Sequence, residues 1–269
     1  YQGILTLLQA VLSGTVTDLS EESKKSLGVL QQANDYFGLF LFYTNRLFLC
    51  YLFHDVSRAL ESATLSKNYS VGANGHFAIA VFHFYDSLTQ LVNYANADSS
   101  RQTEILQQVA SNQDKMKLWA HHAPMNCQHK YDLVEAEKAR VLGHFELAAK
   151  GYEKAIAEAR ENEYLQEEAL AYELAAKFYL AQGMDKFAQT YLSEAVYRYQ
   201  RWGALAKVQH LQTQYPQFLA RKSSVTPSSL LDTRMATATT MSPSTGTPEL
   251  DIHSIIKASQ ILSEEMVLP

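Results

Sequence analysis

Apolar residues recur at helical spacing through the first 215 residues of the chain. Proline is absent from residues 1–123, and polar clusters interrupt the apolar pattern at intervals that suit short loops. Two strongly apolar runs, at residues 39–53 and 77–85, are shorter than the about 18 residues that a membrane-spanning helix needs. We interpret both runs as buried core helices. The pattern predicts an all-α fold, with roughly nine to eleven helices paired as antiparallel hairpins.

An internal repeat with a period of 40 residues supports the hairpin interpretation. The positions that match are Gly143 with Gly183, Ala148 with Ala188, Tyr152 with Leu192 and Ala155 with Ala195. A helix, a glycine turn and a second helix with small residues at close-packing positions resemble a tetratricopeptide-type hairpin. The glycines suit the left-handed residue that ends a helix. A weaker third copy is predicted around His54, where a histidine replaces the glycine.

The chain is predicted to contain four regions. They are degenerate helical repeats at 1–124, two tetratricopeptide-like hairpins at 125–215, a Ser/Thr/Pro-rich linker at 216–248 and the start of a further helix at 249–269. Thirteen Ser or Thr residues and three prolines lie within 221–248, a composition typical of a disordered linker.

An apolar stripe lies on the short helix that follows the predicted linker. It consists of Ile252, Ile255, Ile256 and Leu262. An apolar face with no remaining chain to cover it requires a partner. We expect this helix to lead into another domain, and a homodimer through the helix is the alternative.

The first helices of hairpin repeats line a concave surface, which is the usual place for a partner to bind. If the tetratricopeptide register holds, four charged residues face this groove: Glu137, Arg140, Glu173 and Lys177. They are the predicted partner-binding residues. The alternative is that they are ordinary exposed surface charges.

The charge balance and cysteine content exclude several functional classes. Lys and Arg number 23 against 28 Asp and Glu, so a nucleic-acid-binding role is not expected. Two widely separated cysteines, Cys50 and Cys127, form no metal or disulfide motif and fit a reducing, cytoplasmic compartment. The chain starts without methionine in what reads as the middle of a helix, which predicts a piece of a longer polypeptide.

Catalytic motifs are missing from the sequence. It contains no Walker phosphate loop, no dinucleotide fingerprint, no nucleophile elbow and no kinase HRD or DFG sequence. His121, His122 and His129 could share a metal, but Pro124 interrupts their spacing and no acid or cysteine completes the set. His83 lies close to Asp86, yet a hydrogen-bonded core histidine explains it better than a catalytic base. We therefore predict no catalytic, cofactor or metal residue in this chain.

Several long strings resemble a known family. They are WAHHAPMNCQHKYDLVEAEKARVLG at 119–143, AAKGYEKAIAEARENEYLQEEALAYELAAKFYLAQG at 148–183, HFAIAVFHFYDSL at 76–88 and the ending LDIHSIIKASQILSEEMVL. Together they resemble the large bacterial multi-sensor kinases, which join a serine/threonine kinase, an AAA-type ATPase module, a helical region, a GAF sensor and a histidine kinase. The chain is similar to the helical region and the linker into the GAF sensor.

The resemblance implies a non-catalytic interaction and relay segment of an ATP-dependent signalling kinase. It also implies that ATP and Mg²⁺ bind in other domains of the parent protein, since no kinase or phosphate-loop residue maps onto this chain. The adjacent ATPase, GAF and kinase domains are then the expected partners. The alternative is a free-standing helical-repeat adaptor that binds a protein or peptide, whereas a small hydrolase or metal enzyme has little support.

Overall fold

The computed structural model describes residues 21–219, with side-chain surroundings from residue 24 onward. This part of the chain is all-α and contains no strand. Its helices are α1 (Glu21–Gln32), α2 (Tyr36–Leu52), α3 (Val56–Asn68), α4 (Ala78–Asn93), α5 (Ser99–His122), α6 (Pro124–Val141), α7 (Phe145–Glu161), α8 (Leu165–Ala181), α9 (Asp185–Trp202), α10 (Leu205–Gln214) and α11 (Pro216–Leu219). Two short 3₁₀ helices, Ser70–Ala73 and Tyr94–Asn96, flank α4.

Consecutive helices pack against each other from α1 to α11, which confirms the all-α array of helical hairpins. The apolar runs predicted as core helices lie in α2 and α4, where Phe40, Leu47, Phe84 and Leu88 are fully buried. None of the helices described is long and apolar enough to cross a membrane. The closer likeness to tetratricopeptide repeats stays a prediction.

Six helix-to-helix turns share one backbone geometry. Their left-handed residues, with φ between 50° and 85°, are Asn34, His54, Gly143, Glu163, Gly183 and Gly203. In each turn the amide of this residue donates to the carbonyl three positions earlier, and the next amide donates five positions back. This is the Schellman pattern that ends a helix. It confirms the predicted conformation of Gly143 and Gly183, and it shows His54 in the same conformation without the glycine.

The small residues of the repeat lie where neighbouring helices approach most closely. Ala148, Ala155, Ala188 and Ala195 are at most 1% exposed. A Cβ added to Gly151 on α7 would lie 2.8 Å from the Cβ of Ala136 on α6, closer than carbon atoms pack. The sequence at these positions therefore sets how tightly α6 and α7 pair.

Helices at opposite ends of the described segment also meet. The ring centroids of Phe48 on α2 and Trp202 on α9 are 6.2 Å apart, and those of Phe53 and His210 are 5.5 Å apart. Lys207 on α10 donates from its Nζ to the carbonyl of Leu52 at the end of α2. One hydrophobic core runs from Phe40 through the predicted boundary at residue 124 to Phe178.

Three predictions concern residues beyond those described. Residues 1–20 begin the predicted N-terminal repeats, residues 220–248 are most of the predicted linker, and the stripe Ile252, Ile255, Ile256 and Leu262 lies in the final segment. The structure places only residues 216–219 of the predicted linker, as the short helix α11.

Candidate functional site

A pocket of about 400 Å³ lies where the C-terminal halves of α2, α4, α6 and α8 converge. All four predicted groove residues line it: Glu137, Arg140, Glu173 and Lys177. Glu137 and Arg140 lie on α6, and Glu173 and Lys177 lie on α8, the first helices of the two predicted hairpins. The turn after α2 and the first residue of α7 complete the rim through His54 and Phe145.

Glu173 is the most heavily hydrogen-bonded side chain of the pocket. Its Oε1 lies 2.7 Å from Nζ of Lys177, 2.9 Å from Nζ of Lys207 and 2.9 Å from Nε2 of His54. Its Oε2 accepts from the hydroxyl of Tyr199 at 2.9 Å. Glu173 is 1% exposed and Lys207 is fully buried, so a carboxylate and an ammonium group meet away from water.

Burial and charge act against each other in this cluster. Burial alone would raise the pKa of Glu173, but the Lys177 and Lys207 ammonium groups and the hydrogen bond from His54 hold that pKa well below its usual range. Burial lowers the pKa of Lys207 to about 8, although Glu173 opposes the change. Burial also lowers the pKa of His54. At neutral pH the cluster therefore holds an ionised carboxylate, two ammonium groups and a neutral imidazole.

A second buried carboxylate, Glu137, lies across the pocket. Its Oε1 and Oε2 each accept from Nε of Arg140 at 3.1 Å, and Oε2 also accepts from Nη2 at 2.7 Å. The buried hydroxyl of Tyr152 donates to Oε1. Glu137 is 1% exposed, and so the interpretation of the four residues as ordinary surface charges is wrong for Glu137 and Glu173.

Two buried hydroxyl groups in the pocket wall have no hydrogen-bond partner among residues 24–219. They belong to Tyr51 on α2, which is 7% exposed, and Thr89 on α4, which is 1% exposed. A buried hydroxyl without a partner costs free energy, and natural proteins place few of them. Tyr51 and Thr89 therefore contribute unpaired polar groups to the wall of the pocket.

Sequence reasoning missed several residues of this site, among them His54, Tyr51, Thr89 and Lys207. The 20-residue spacing between His54 and Asn34, repeated from Gly143 to Gly203, was a usable signal for the turn. Lys207 lies between Ala206 and Val208 in an otherwise apolar stretch, which indicates a buried lysine. The sequence does not indicate that Tyr51 and Thr89 belong to the site, since each lies within an ordinary apolar helix.

The histidines considered as catalytic or metal-binding residues lie elsewhere. His83 bonds through Nδ1 to Oδ1 of Asn112 at 2.8 Å, and Asn112 donates to Asp86 at 2.8 Å. This network is buried, so His83 and Asp86 have a structural role through Asn112. His121 and His122 are exposed, and His129 is buried beside Lys130. Residues 21–219 contain no group of three His, Cys, Asp or Glu side chains placed to hold a metal ion.

Comparison with known proteins adds no relative to this description. No protein-family model matches the chain, and no curated protein or solved structure matches it either. The geometry of the pocket and the resemblance of the sequence strings are therefore the two grounds for assigning a function.

Proposed function

We propose that this chain is a non-catalytic helical interaction segment that relays a signal within a larger ATP-dependent protein kinase. The pocket between α2, α4, α6 and α8 is the observation that supports an interaction role. It combines apolar walls with a few charged groups and buried hydroxyls, the composition of a ligand site. The kinase context is supported by the strings at 119–143 and 148–183.

The pocket offers a physical means of relay because its walls come from distant parts of the chain. His54 and Glu173, which lie side by side, are separated by 119 positions. An occupant that contacts α2 and α8 together favours the arrangement in which they are close. A ligand shifts such an equilibrium only by its difference in affinity for the two arrangements. The pocket is therefore the place where binding can change how the two ends of the array meet.

The proposal assigns chemistry to other parts of the parent protein. ATP and Mg²⁺ would bind in its kinase and ATPase domains, and those domains with the GAF sensor would be the partners of this segment. The location would be cytoplasmic. Residues 249–269 would lead into the following domain, with a homodimer through that helix as the alternative.

The length of the native polypeptide tests whether this chain is a segment of a larger protein kinase. An immunoblot with an antibody against residues 125–215 is expected to detect a product several times longer than 269 residues. A product of about 269 residues would overturn the kinase context and leave the alternative, a free-standing adaptor that binds a protein or peptide.

A matched pair of substitutions in the full-length parent tests the relay. Phe145 lines the pocket and is 50% exposed, with its ring 6.3 Å from that of Phe178. Phe187 is 53% exposed and stacks on Tyr179 at 5.3 Å, but it lies outside the pocket. Phe145→Ala is expected to change autophosphorylation several-fold, whereas Phe187→Ala leaves it unchanged. Equal effects of the two variants would contradict the relay.

A further inference from the structure

The two carboxylates of the pocket already accept hydrogen bonds from protein groups. Lys177, Lys207 and Tyr199 donate to Glu173, and Nε2 of His54 lies 2.9 Å from its Oε1. Glu137 accepts from Arg140 and from the Tyr152 hydroxyl. A ligand that brings its own donors therefore finds few free acceptor sites on these two carboxylates.

Donors, in contrast, are left over. Within the described part of the chain the hydroxyls of Tyr51 and Thr89 have no partner, and each can donate. Arg140 uses Nε and Nη2 on Glu137, and no hydrogen bond of its Nη1 is found within residues 21–219. Burial raises the pKa of Tyr51 well above its usual value, with Glu137 and Glu173 adding to the effect, so this hydroxyl keeps its proton. Arg140 can only donate and the two hydroxyls can also donate, so a ligand group that accepts can use all three.

The charges of the pocket also favour a ligand that accepts hydrogen bonds. Glu137 and Arg140 cancel each other as an ion pair. Glu173 faces two ammonium groups, those of Lys177 and Lys207. One positive charge remains uncompensated among these groups at neutral pH. It favours an anion, since a single negative charge would balance it.

Apart from Gln182, the remaining walls are apolar. They are formed by Leu52, Val56, Val92, Leu170, Leu174 and Phe178. A volume of about 400 Å³ lies within the range of small-molecule sites, which is roughly 300–1,000 Å³. A small inorganic ion would leave these apolar side chains in contact with water, whereas a ligand with an apolar part would bury them.

We propose that the pocket binds a small carboxylic acid with an apolar body, its carboxylate accepting from Tyr51, Thr89 and Arg140. The apolar body lies against Leu174, Phe178 and the other apolar walls. This inference deepens the proposed function and rests on it in taking this pocket as the interaction site. It makes the segment a receptor for a small acid, so the signal it relays includes the level of that acid.

The test uses the 269-residue chain and three isosteric probes. 4-Phenylbutyrate, 4-phenylbutanol and 4-phenylbutylamine differ only in the head group, and methyl NMR of Val92 and Leu174 reports occupancy. The acid is expected to cause saturable shifts at these methyls, with at least ten-fold weaker binding of the alcohol and the amine. A peptide that ends in phenylalanine with a free carboxylate is the fourth probe. Binding of the peptide alone, or equal binding of the three isosteres, would overturn the proposal.

Variants that remove single hydroxyls locate the carboxylate. Tyr51→Phe and Thr89→Val delete groups that have no protein partner, so the fold is kept. Each is expected to weaken binding of 4-phenylbutyrate about ten-fold, the effect of one hydrogen bond to a charged group. Tyr197→Phe is the control, since Tyr197 is 52% exposed and lies outside the pocket. Unchanged affinity in both pocket variants contradicts the proposal.

The experiments distinguish a failure of the proposed acid binding from a failure of the proposed relay. If 4-phenylbutyrate does not bind but Phe145→Ala still alters autophosphorylation, the acid is wrong and the relay stands. If the acid binds as described but Phe145→Ala has no effect on the parent kinase, the pocket is a binding site without a relay function.

Discussion

Glu173 shows how a single buried charge can hold distant parts of the chain together. Its carboxylate joins the turn after α2, helix α8 and helix α10 through His54, Lys177 and Lys207. An ionised group deep in a protein is tolerated only when its partners replace the water that it loses. The same groups that close the pocket therefore also fix the contact between α2 and α10.

Removal of this carboxylate is expected to be costly. Glu173→Ala leaves Lys207 buried without a counter-charge and is predicted to lower the free energy of unfolding by about 3–5 kcal/mol. Glu194→Ala is the control, because the ion pair of Glu194 with Arg198 is partly exposed and its loss costs at most about 1 kcal/mol. Urea denaturation followed by circular dichroism measures both. A cost below 1 kcal/mol for Glu173→Ala would contradict the buried cluster.

At the scale of the elements, the turns explain why hairpin prediction succeeded. Glycines at 143 and 183, with small residues at fixed offsets, carried the helix–turn–helix period directly in the sequence. The same turns at His54 and Glu163 were harder to recognise because they lack glycine. Their geometry depends on the Schellman hydrogen bonds, which any residue can make at some cost in backbone strain.

The backbone strain of a left-handed residue predicts that Glu163→Gly and Gly183→Ala have opposite effects on stability. Glu163 is exposed and has a φ of 61°, a backbone conformation that glycine adopts with less strain. Glu163→Gly is therefore expected to raise the free energy of unfolding by about 1 kcal/mol. Gly183→Ala is expected to lower it by about 1 kcal/mol, since an added Cβ meets no atom within 4 Å and only φ is affected. Chemical denaturation of the two variants checks both signs, and a destabilised Glu163→Gly would be the contrary result.

The whole molecule was less predictable than its hairpins. The four residues that line the pocket were predicted from the sequence, but the contacts of His54 and Lys207 with Glu173 were not. His54 is 123 positions from Lys177, and Lys207 is 155 positions from Leu52. No local pattern encodes such contacts, because they arise only when α10 packs against the end of α2. The pocket is for this reason a property of the folded array.

Buried and half-buried histidines make the stability of the whole molecule depend on pH. Burial lowers the pKa of His54 and His83, and it lowers that of His129 to about 3 and that of His210 to about 4. Unfolded histidines titrate near pH 6.5, so between pH 6.5 and 4 the unfolded chain binds more protons than the folded one. Stability from these groups is thus lost as the pH falls through this window.

The urea midpoint is accordingly expected to decrease from pH 7 to pH 4.5. Glu158 acts in the opposite direction, since burial raises its pKa to about 7, but it is one group against four. His129→Gln, which cannot titrate, is expected to show a shallower pH dependence than the unchanged chain. A midpoint that rises on acidification would contradict the assignment of neutral buried histidines.

The most direct test of the contact between α10 and the end of α2, which closes the pocket, is the pKa of Lys207. It is measured by NMR of the 13Cε resonance of this lysine. The resonance is assigned by its loss in Lys207→Met. Burial of Lys207 predicts a pKa of about 8, even though Glu173 opposes the change, and this value is well below the value of about 10.4 that exposed lysines show. A Lys207 resonance that titrates near pH 10.4 with the exposed lysines would mean that α10 does not close the pocket.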